Sequence, residues 1–262
     1  MRVAITRQVS PDIGRCELSY LERRPIDVEV ARRQHAAYER CLADLGCSLV
    51  SLPPEPGLPD SVFVEDAAVV LDELALITRP GAASRRAETA TVAAALSAHR
   101  PLHHLGPPGT LDGGDVLVAE RRVFVGRSRR SDEAGWRWVR ERLGPLGYEV
   151  IAVPVHGVLH LKSAVSRLPG NRLLADRTGV DASLFAGAEI VDVDPSEPGA
   201  ANVLCVGEVV VCPAAFERTR RRLEHAGIAV VTVDVSELAK AEGAVTCCSL
   251  VFESPAGVRR AG

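Results

Sequence analysis

The sequence predicts an α/β fold, a ring of five ββαβ modules with pseudo-fivefold repetition. Three observations predict it. Pairs of short apolar strands precede each helical stretch and one strand follows it; this grammar returns at nearly constant spacing; and the two chain ends supply complementary parts of one last module. The modules start near Val62, Asp112, His160, Asn202 and Val245, separated by 50, 48, 42 and 43 residues. A doubly wound sheet also alternates strands and helices, but here hairpins come before the helices and no Gly-x-Gly-x-x-Gly follows any strand.

In chain order, the first complete module reads as apolar strands at 62–64, 67–71 and 74–78, a helix over 84–99 and a strand at 102–105. The second is a hairpin over 112–126, a helix over 132–146 with Trp136, Val139, Leu143 and Leu146 on one apolar face, and a strand at 148–153. The third is a hairpin over 158–175 turning at Pro169-Gly170-Asn171, a short helix at 181–186 and a strand at 189–193. The fourth is a hairpin over 202–212 turning at Gly207-Glu208, a helix over 215–225 and a strand at 229–233. The fifth joins a strand over 244–252 to a strand at 2–6, a helix over 27–45 and a strand at 48–52, so that N- and C-terminal strands close the ring. A ring closed by its own ends is one domain, 1–262, in which the polar, interrupted segment 10–25 is the long loop of functional interest.

With 262 residues, 47% hydrophobic and 25% charged, the chain has ordinary globular composition. Its mean hydropathy is +0.09. No window approaches the roughly 18 apolar residues of a membrane span, and Arg2, Arg7 and Gln8 interrupt any signal-peptide core. A cytoplasmic protein without membrane contact is expected. The 31 Lys and Arg against 34 Asp and Glu leave a net charge of −3, a poor match to a nucleic-acid partner. The seven cysteines are odd in number and contain no Cys-x-x-Cys pair, so neither a disulfide framework nor a zinc site is indicated.

A ring of repeats brings equivalent positions of its modules to one hub, so polar residues sharing a phase of the repeat should meet in space. The module starts carry Asp60-Ser61-Val62-Phe63-Val64-Glu65-Asp66, Leu111-Asp112-Gly113-Gly114-Asp115, Leu159-His160-Leu161-Lys162-Ser163, Ala201-Asn202 and Val245-Thr246-Cys247-Cys248-Ser249. Singly, each has a structural explanation: Asp112 as a turn residue, His160 as a core histidine, Cys247 as a small buried hydrophobe. Independent structural causes would not put them in one phase.

Chemically the set is coherent. A thiolate is a strong nucleophile, and an imidazole or a cationic substrate lowers the cysteine pKa from about 8.5. His160 can act as acid and then base, with Asp112 orienting its ring. Glu65, Asp66 and Asp60 point to a planar cation, a guanidinium, because carboxylates pair with it bidentately. Arg85 and Arg130, in turns, offer the same fork to a substrate carboxylate. Read as strand residues, Cys247 and Cys248 face opposite sides, and the pattern does not choose between them.

The motifs Phe63-Val64-Glu65-Asp66, Ile77-Thr78-Arg79-Pro80-Gly81-Ala82, Ser84-Arg85-Arg86, Leu111-Asp112-Gly113-Gly114-Asp115-Val116, Leu159-His160-Leu161-Lys162-Ser163, Ala201-Asn202 and Thr246-Cys247-Cys248-Ser249 span nearly the whole chain. Together they resemble the dimethylarginine dimethylaminohydrolases of the guanidine-modifying superfamily. The resemblance implies a five-bladed β/α propeller. It also implies hydrolysis of N-omega-methylated arginine, mono- or dimethylated, to citrulline and methylamine or dimethylamine, with no metal or organic cofactor. The implied partner is a small guanidino amino acid.

Residue by residue, the resemblance makes Cys247 the nucleophile of a covalent thiouronium intermediate and His160 the proton donor to the leaving amine. Asp112 takes the place of a supporting acid that is Glu in some members. Glu65 and Asp66 would hold the guanidinium, while Asp60, Arg85 and Arg130 would grip the amino-acid end. Leu18 falls in the lid loop, and the Ala241 carbonyl would accept from the α-amino group. The tail 253–262 has no counterpart, and the oligomeric state stays open, a homodimer being one option. Arginine deiminases and amidinotransferases are typically longer, deiminases through an added helical domain, which argues against both. A non-catalytic binding propeller predicts an empty hub.

Overall fold

The structure, a computed structural model, describes residues 1–254. Strand β1 (Arg2–Arg7) leads through a long irregular segment into α1 (Val28–Asp44) and β2 (Ser48–Leu52). The start of α1 is set by Asp27, whose carboxylate accepts from the backbone N–H groups of Glu29 and Val30 at 3.0 Å, and its inward face is Ala31, Gln34, His35, Tyr38 and Leu42. Next come β3 (Ala68–Val70), β4 (Ala75–Ile77), α2 (Thr89–Leu96) and β5 (Leu102–His104). They are followed by β6 (Val116–Ala119), β7 (Arg122–Arg127), α3 (Glu133–Leu143) and β8 (Glu149–Pro154). The one-turn α4 (Leu161–Ala164) opens onto β9 (Val165–Leu168), β10 (Arg172–Ala175) and β11 (Glu189–Asp192). The described residues finish with β12 (Leu204–Val206), β13 (Val209–Pro213), α5 (Glu217–His225), β14 (Ala229–Val233), α6 (Ser236–Ala239) and β15 (Leu250–Glu253).

These strands form five sheets of three among the described residues: β3-β4-β5, β6-β7-β8, β9-β10-β11, β12-β13-β14 and β15-β1-β2. In every sheet the first strand is antiparallel to the middle one and the third is parallel to it, which is the ββαβ grammar read from the sequence. The last sheet joins the chain ends, with Val3 opposite Phe252 and Ser48. Each of the five hydrophobic clusters draws side chains from two neighbouring sheets; Val69 and Leu76 pack with Val116 and Val125, for example, and Val206 and Val211 pack with Ala4 and Tyr38. One strand from each sheet (β3, β6, β9, β12, β15) also lines a common cavity of about 180 Å³, which Glu65, Lys162, Thr246 and Ser249 line with them.

Several element assignments are corrected. Residues 62–64 form no strand: the Glu65 N–H donates to the Cys247 carbonyl and the Asp66 N–H to the Phe63 carbonyl, closing a 3-10 turn at Val64–Ala67 before ladder pairing starts at Ala68. The helix expected over 84–99 is a 3-10 stretch, Ala83–Glu88, with α2 behind it, and Arg85 and Glu88 are buried on its inner side. Residues 245–248 form a turn and not a strand, since their polar groups bond across to other modules. The α-helical part of 132–146 stops at Leu143, ahead of Pro145 and the left-handed Gly147, and Leu146 is exposed. The short helix expected at 181–186 is a 3-10 turn at Ala182–Phe185. In the tail read as 253–262, Glu253 ends β15 and Ser254 is buried, while 255–262 lie outside the described residues. Among the described residues no helix is long and apolar enough to cross a membrane.

Candidate active site

A second, much smaller cavity, of about 20 Å³, gathers residues from distant stretches of chain: Asp60, Asp66, Arg85, Arg130, His160, Ala241 and Cys247 line it together with Glu17, Phe63 and Glu242. The thiol and the imidazole expected at one hub thus share one small space.

His160 is the last residue before α4, with extended backbone, and the Asp115 carboxylate fixes that helix start by accepting from the Leu161 N–H at 2.9 Å. The other Asp115 oxygen accepts from Ser128 and Ser131. His160 Nε2 lies 2.9 Å from Asp112 Oδ2, and its Nδ1 lies 3.9 Å from Asp66 Oδ1. Asp112 is fully buried; its second oxygen accepts from the Gly81 N–H at 2.8 Å. Burial pushes the His160 pKa down, but the Asp66, Asp112 and Asp115 carboxylates outweigh it and hold the ring at about 9. The imidazole is therefore protonated at neutral pH. The Asp112-Gly113-Gly114-Asp115 run is glycine-rich for a steric reason: a Cβ on Gly114 would lie 2.7 Å from His160 Nδ1, and one on Gly113 would lie 2.0 Å from the Glu65 carbonyl oxygen.

Asp66 is held on both oxygens, one taking the Gly114 N–H at 2.9 Å and the other Arg85 Nη1 at 2.5 Å. Burial raises its pKa, yet the cationic His160 and Arg85 overcome this and keep it well below the usual carboxylate range. Cys247 sits in the 245–248 turn. Tyr38 Oη donates to the Val245 carbonyl at 2.8 Å, Asn202 Oδ1 accepts from the Thr246 N–H, and Asn202 Nδ2 lies 4.0 Å from Cys247 Sγ. Burial, then the Glu65 and Asp66 charges, push the Cys247 thiol up to about 12. Cys248 is buried away from the cavity, its thiol donating to the Ala244 carbonyl.

Glu65 behaves differently from the expectation drawn for it. Its carboxylate does not line this cavity but projects into the larger one, 2.6 Å from Lys162 Nζ and 2.8 Å from Thr246 Oγ1, and it reaches Cys247 only through its field. Arg85 lines the site but is committed on every nitrogen, to Asp66, Glu88 and the Asp60 and Phe63 carbonyls. Arg130 keeps Nη1 buried without a partner, while Nη2 donates to Ser19 of the loop. Asp60 accepts from the Glu17 N–H of that loop. Leu18 is half-buried against the neighbouring hydrophobic cluster. Asp66, Asp112 and His160 each place a potential ligand atom within 4.8 Å of the others, but the hydrogen bonds above already account for that grouping.

No family model matches the chain. The chain is 42% identical over 249 residues to the N(G),N(G)-dimethylarginine dimethylaminohydrolase of Streptomyces coelicolor, a match covering 94% of this chain and 95% of that protein. The chain belongs to the dimethylarginine dimethylaminohydrolase family. It is also 36% identical over 228 residues to the Pseudomonas aeruginosa enzyme of the same name, covering 86% of this chain and 90% of that protein. A Pseudomonas aeruginosa dimethylarginine dimethylaminohydrolase structure, a cysteine-to-serine variant complexed with citrulline, superposes with a TM-score of 0.90 at 33% identity, covering 95% of this chain and 98% of that one. The N-terminal domain of ArgZ superposes with a TM-score of 0.87 at 19% identity, covering 97% of this chain and 98% of that one, a likeness of fold.

Against the family motifs, the structure adds residues that sequence reasoning did not single out. Lys162, inside the motif Leu-His-Leu-Lys-Ser, is the counter-ion of Glu65, and Glu88 is that of Arg85. Asp115 organises the His160 segment and burial raises its pKa to about 6. Glu17 and Glu242 line the cavity from the loop and from behind Ala241. The Asp-Gly-Gly-Asp and Leu-Lys spacings carried the signal for Asp115 and Lys162; nothing local marked Glu17 or Glu242.

Proposed function

We propose that this protein hydrolyses N-omega-methylated arginine to citrulline and methylamine or dimethylamine. The observation that carries the reading is the meeting of Cys247, protonated His160 and Asp66 on one small cavity that the carboxyl-bearing Glu17, Asp60 and Glu242 also line. The substrate guanidinium fits beside Asp66, with Glu65 adding negative charge from the far side of Cys247. Its positive charge lowers the Cys247 pKa, the thiol loses its proton to water, and the thiolate attacks the guanidinium carbon. His160 donates its proton to the methylated nitrogen as the C–N bond breaks, and the amine leaves. A thiouronium on Cys247 remains. Neutral His160 then takes a proton from water as the water oxygen adds to the same carbon; the C–S bond breaks to return the thiolate, and the added hydroxyl loses its remaining proton to solvent, giving citrulline. Asp112 orients the imidazole throughout.

For the amino-acid end, the unpartnered Arg130 Nη1 is the free donor for the α-carboxylate, while Asp60 and the Ala241 carbonyl face the α-amino group. Arg85 acts instead at the guanidinium end, through Asp66, as its counter-ion. Leu18 belongs to the loop 10–25, read as a lid. The whole chain is read as one catalytic unit, with the five modules closed into a five-bladed β/α propeller. Support for closure comes from clusters bridging neighbouring sheets and from the cavity that one strand of each sheet lines. All seven cysteines are free, in keeping with a cytoplasmic setting. A homodimer is compatible with the reading. Side-by-side citrulline assays test it: dimethylarginine should be turned over and arginine poorly, and a preference for arginine would replace this reading by a deiminase.

A further inference from the structure

The segment Leu238–Gly243 carries a residue whose conformation has no account in the reaction above. The Glu242 N–H donates to the Ala239 carbonyl at 3.1 Å and the Gly243 N–H to the Leu238 carbonyl at 3.2 Å. This is the hydrogen-bond pair of a helix end in which the penultimate residue is left-handed, a place usually filled by glycine. Here it is Glu242, at φ 58°. A non-glycine residue in that conformation is disfavoured by its Cβ; the exposed turn residue Glu120, at φ 56°, shares it, but Glu242 differs in where its side chain is engaged. The side chain has one visible task. Its carboxylate accepts from three successive backbone N–H groups of the loop: Ser19 at 3.0 Å, Tyr20 at 2.6 Å and Leu21 at 2.7 Å.

We propose that Glu242 is the latch of the 10–25 loop, a positioning residue that couples closure over the substrate to recognition of the α-amino group at the adjacent Ala241 carbonyl. The two roles sit on consecutive residues, so the backbone that presents the acceptor to the substrate also aims the carboxylate at the lid. Charged acceptors make the stronger hydrogen bonds, and three on one carboxylate order a segment that otherwise has only a short 3-10 turn, Ile13–Arg15. Three further ties, Asp60 to the Glu17 N–H, Ser84 to the Glu17 carboxylate and Arg130 to Ser19, sit around the same rim, while Gly57 to Asp12 and Lys240 to the Pro25 carbonyl hold other parts of the loop. Substrate bound between Arg130 and Ala241 would tighten the rim from both sides.

The inference rests on the proposed function for the place of the substrate, and the test keeps the two apart. Hydrogen–deuterium exchange on the unliganded full-length chain needs no turnover. Glu242→Gly removes the carboxylate while relieving the left-handed strain, and Glu242→Gln keeps the shape without the charge. In both, exchange in the peptide carrying Ser19, Tyr20 and Leu21 should rise about tenfold or more, with peptides from the sheets unchanged. The melting temperature of the glycine variant should not fall. KM for dimethylarginine should rise about tenfold with kcat within about threefold. Unchanged exchange at the loop, or equal increases throughout the chain, would overturn the latch; faster loop exchange with unchanged KM would overturn its coupling to substrate. A protein that releases no citrulline sinks the functional reading and leaves the exchange result to decide the latch.

Discussion

On the cavity side of the Val64–Ala67 turn, the Asp66 carboxylate meets Arg85, the Gly114 N–H and, at 3.9 Å, the imidazole of His160; on the opposite side, the Glu65 carboxylate meets Lys162 and Thr246. The two acids are neighbours in the chain, equally shut from water, and their pKa values move in opposite directions. Burial raises Glu65, and Lys162 only partly offsets it; for Asp66 the combined pull of His160 and Arg85 wins. Cys247 and Cys248 repeat the contrast, one on the cavity and one buried against the Ala244 carbonyl. A tight turn presents consecutive side chains to two different environments, so residue type names the chemistry available and the turn decides which copy performs it.

This contrast can be broken by paired substitutions. The largest effect is expected at the sulfur: Cys247→Ser should lower citrulline release by about 10⁴-fold with a melting temperature close to the parent, whereas Cys248→Ala should stay within about tenfold. Equal losses in the two variants would show that the cavity does not select its thiol. Next, Asp66→Asn should lower kcat/KM by about 100-fold and move the alkaline limb of the pH profile downward, because Asp66 leads the charges that raise His160. Glu65→Gln should leave kcat/KM within about tenfold. It should instead cost about 1 to 2 kcal/mol of stability in denaturant unfolding by leaving the partly buried Lys162 charge without its partner. A Glu65→Gln variant as inactive as Asp66→Asn would erase the distinction drawn here.

The smallest effect is one of pH. His160 binds its proton more tightly folded, near pKa 9, than unfolded, near about 6.5. Its contribution to stability is therefore complete below the unfolded value and is lost as pH rises through the folded one. kcat/KM should decline over the same upper range, since the leaving amine requires the protonated ring. A profile that declines instead through pH 6 to 7 would contradict the raised imidazole.

Much of this was legible in the chain. The repeat fixed the phase in which Asp112, His160 and Cys247 recur, and with it their convergence; strand pairing and hairpin turns followed from ordinary alternation and glycine placement. What escaped the reading was the geometry inside each hub segment. Residues 62–64 and 244–249 are apolar enough to read as strands, but their backbone groups bond to other modules, a long-range choice that no local pattern encodes. The orientation of Glu65 depended on Lys162, two positions beyond His160, and the closed loop depended on Glu242, more than 200 residues away from its partners. Arg85 read as a free substrate fork because its partners, Asp66 and Glu88, are brought to it only by the 3-10 stretch that replaced a helix.

At rest Cys247 carries a thiol that becomes reactive only when a cation enters beside it. Mass spectrometry of the intact and digested chain after treatment at neutral pH with chloroacetamidine, beside the uncharged chloroacetamide, measures this in one experiment. One adduct is expected, on Cys247, formed far faster by the cationic reagent, while chloroacetamide reacts slowly and gains with rising pH toward the thiol's pKa of about 12. Equal rates for the two reagents, or an adduct on Cys248 in place of Cys247, would contradict it.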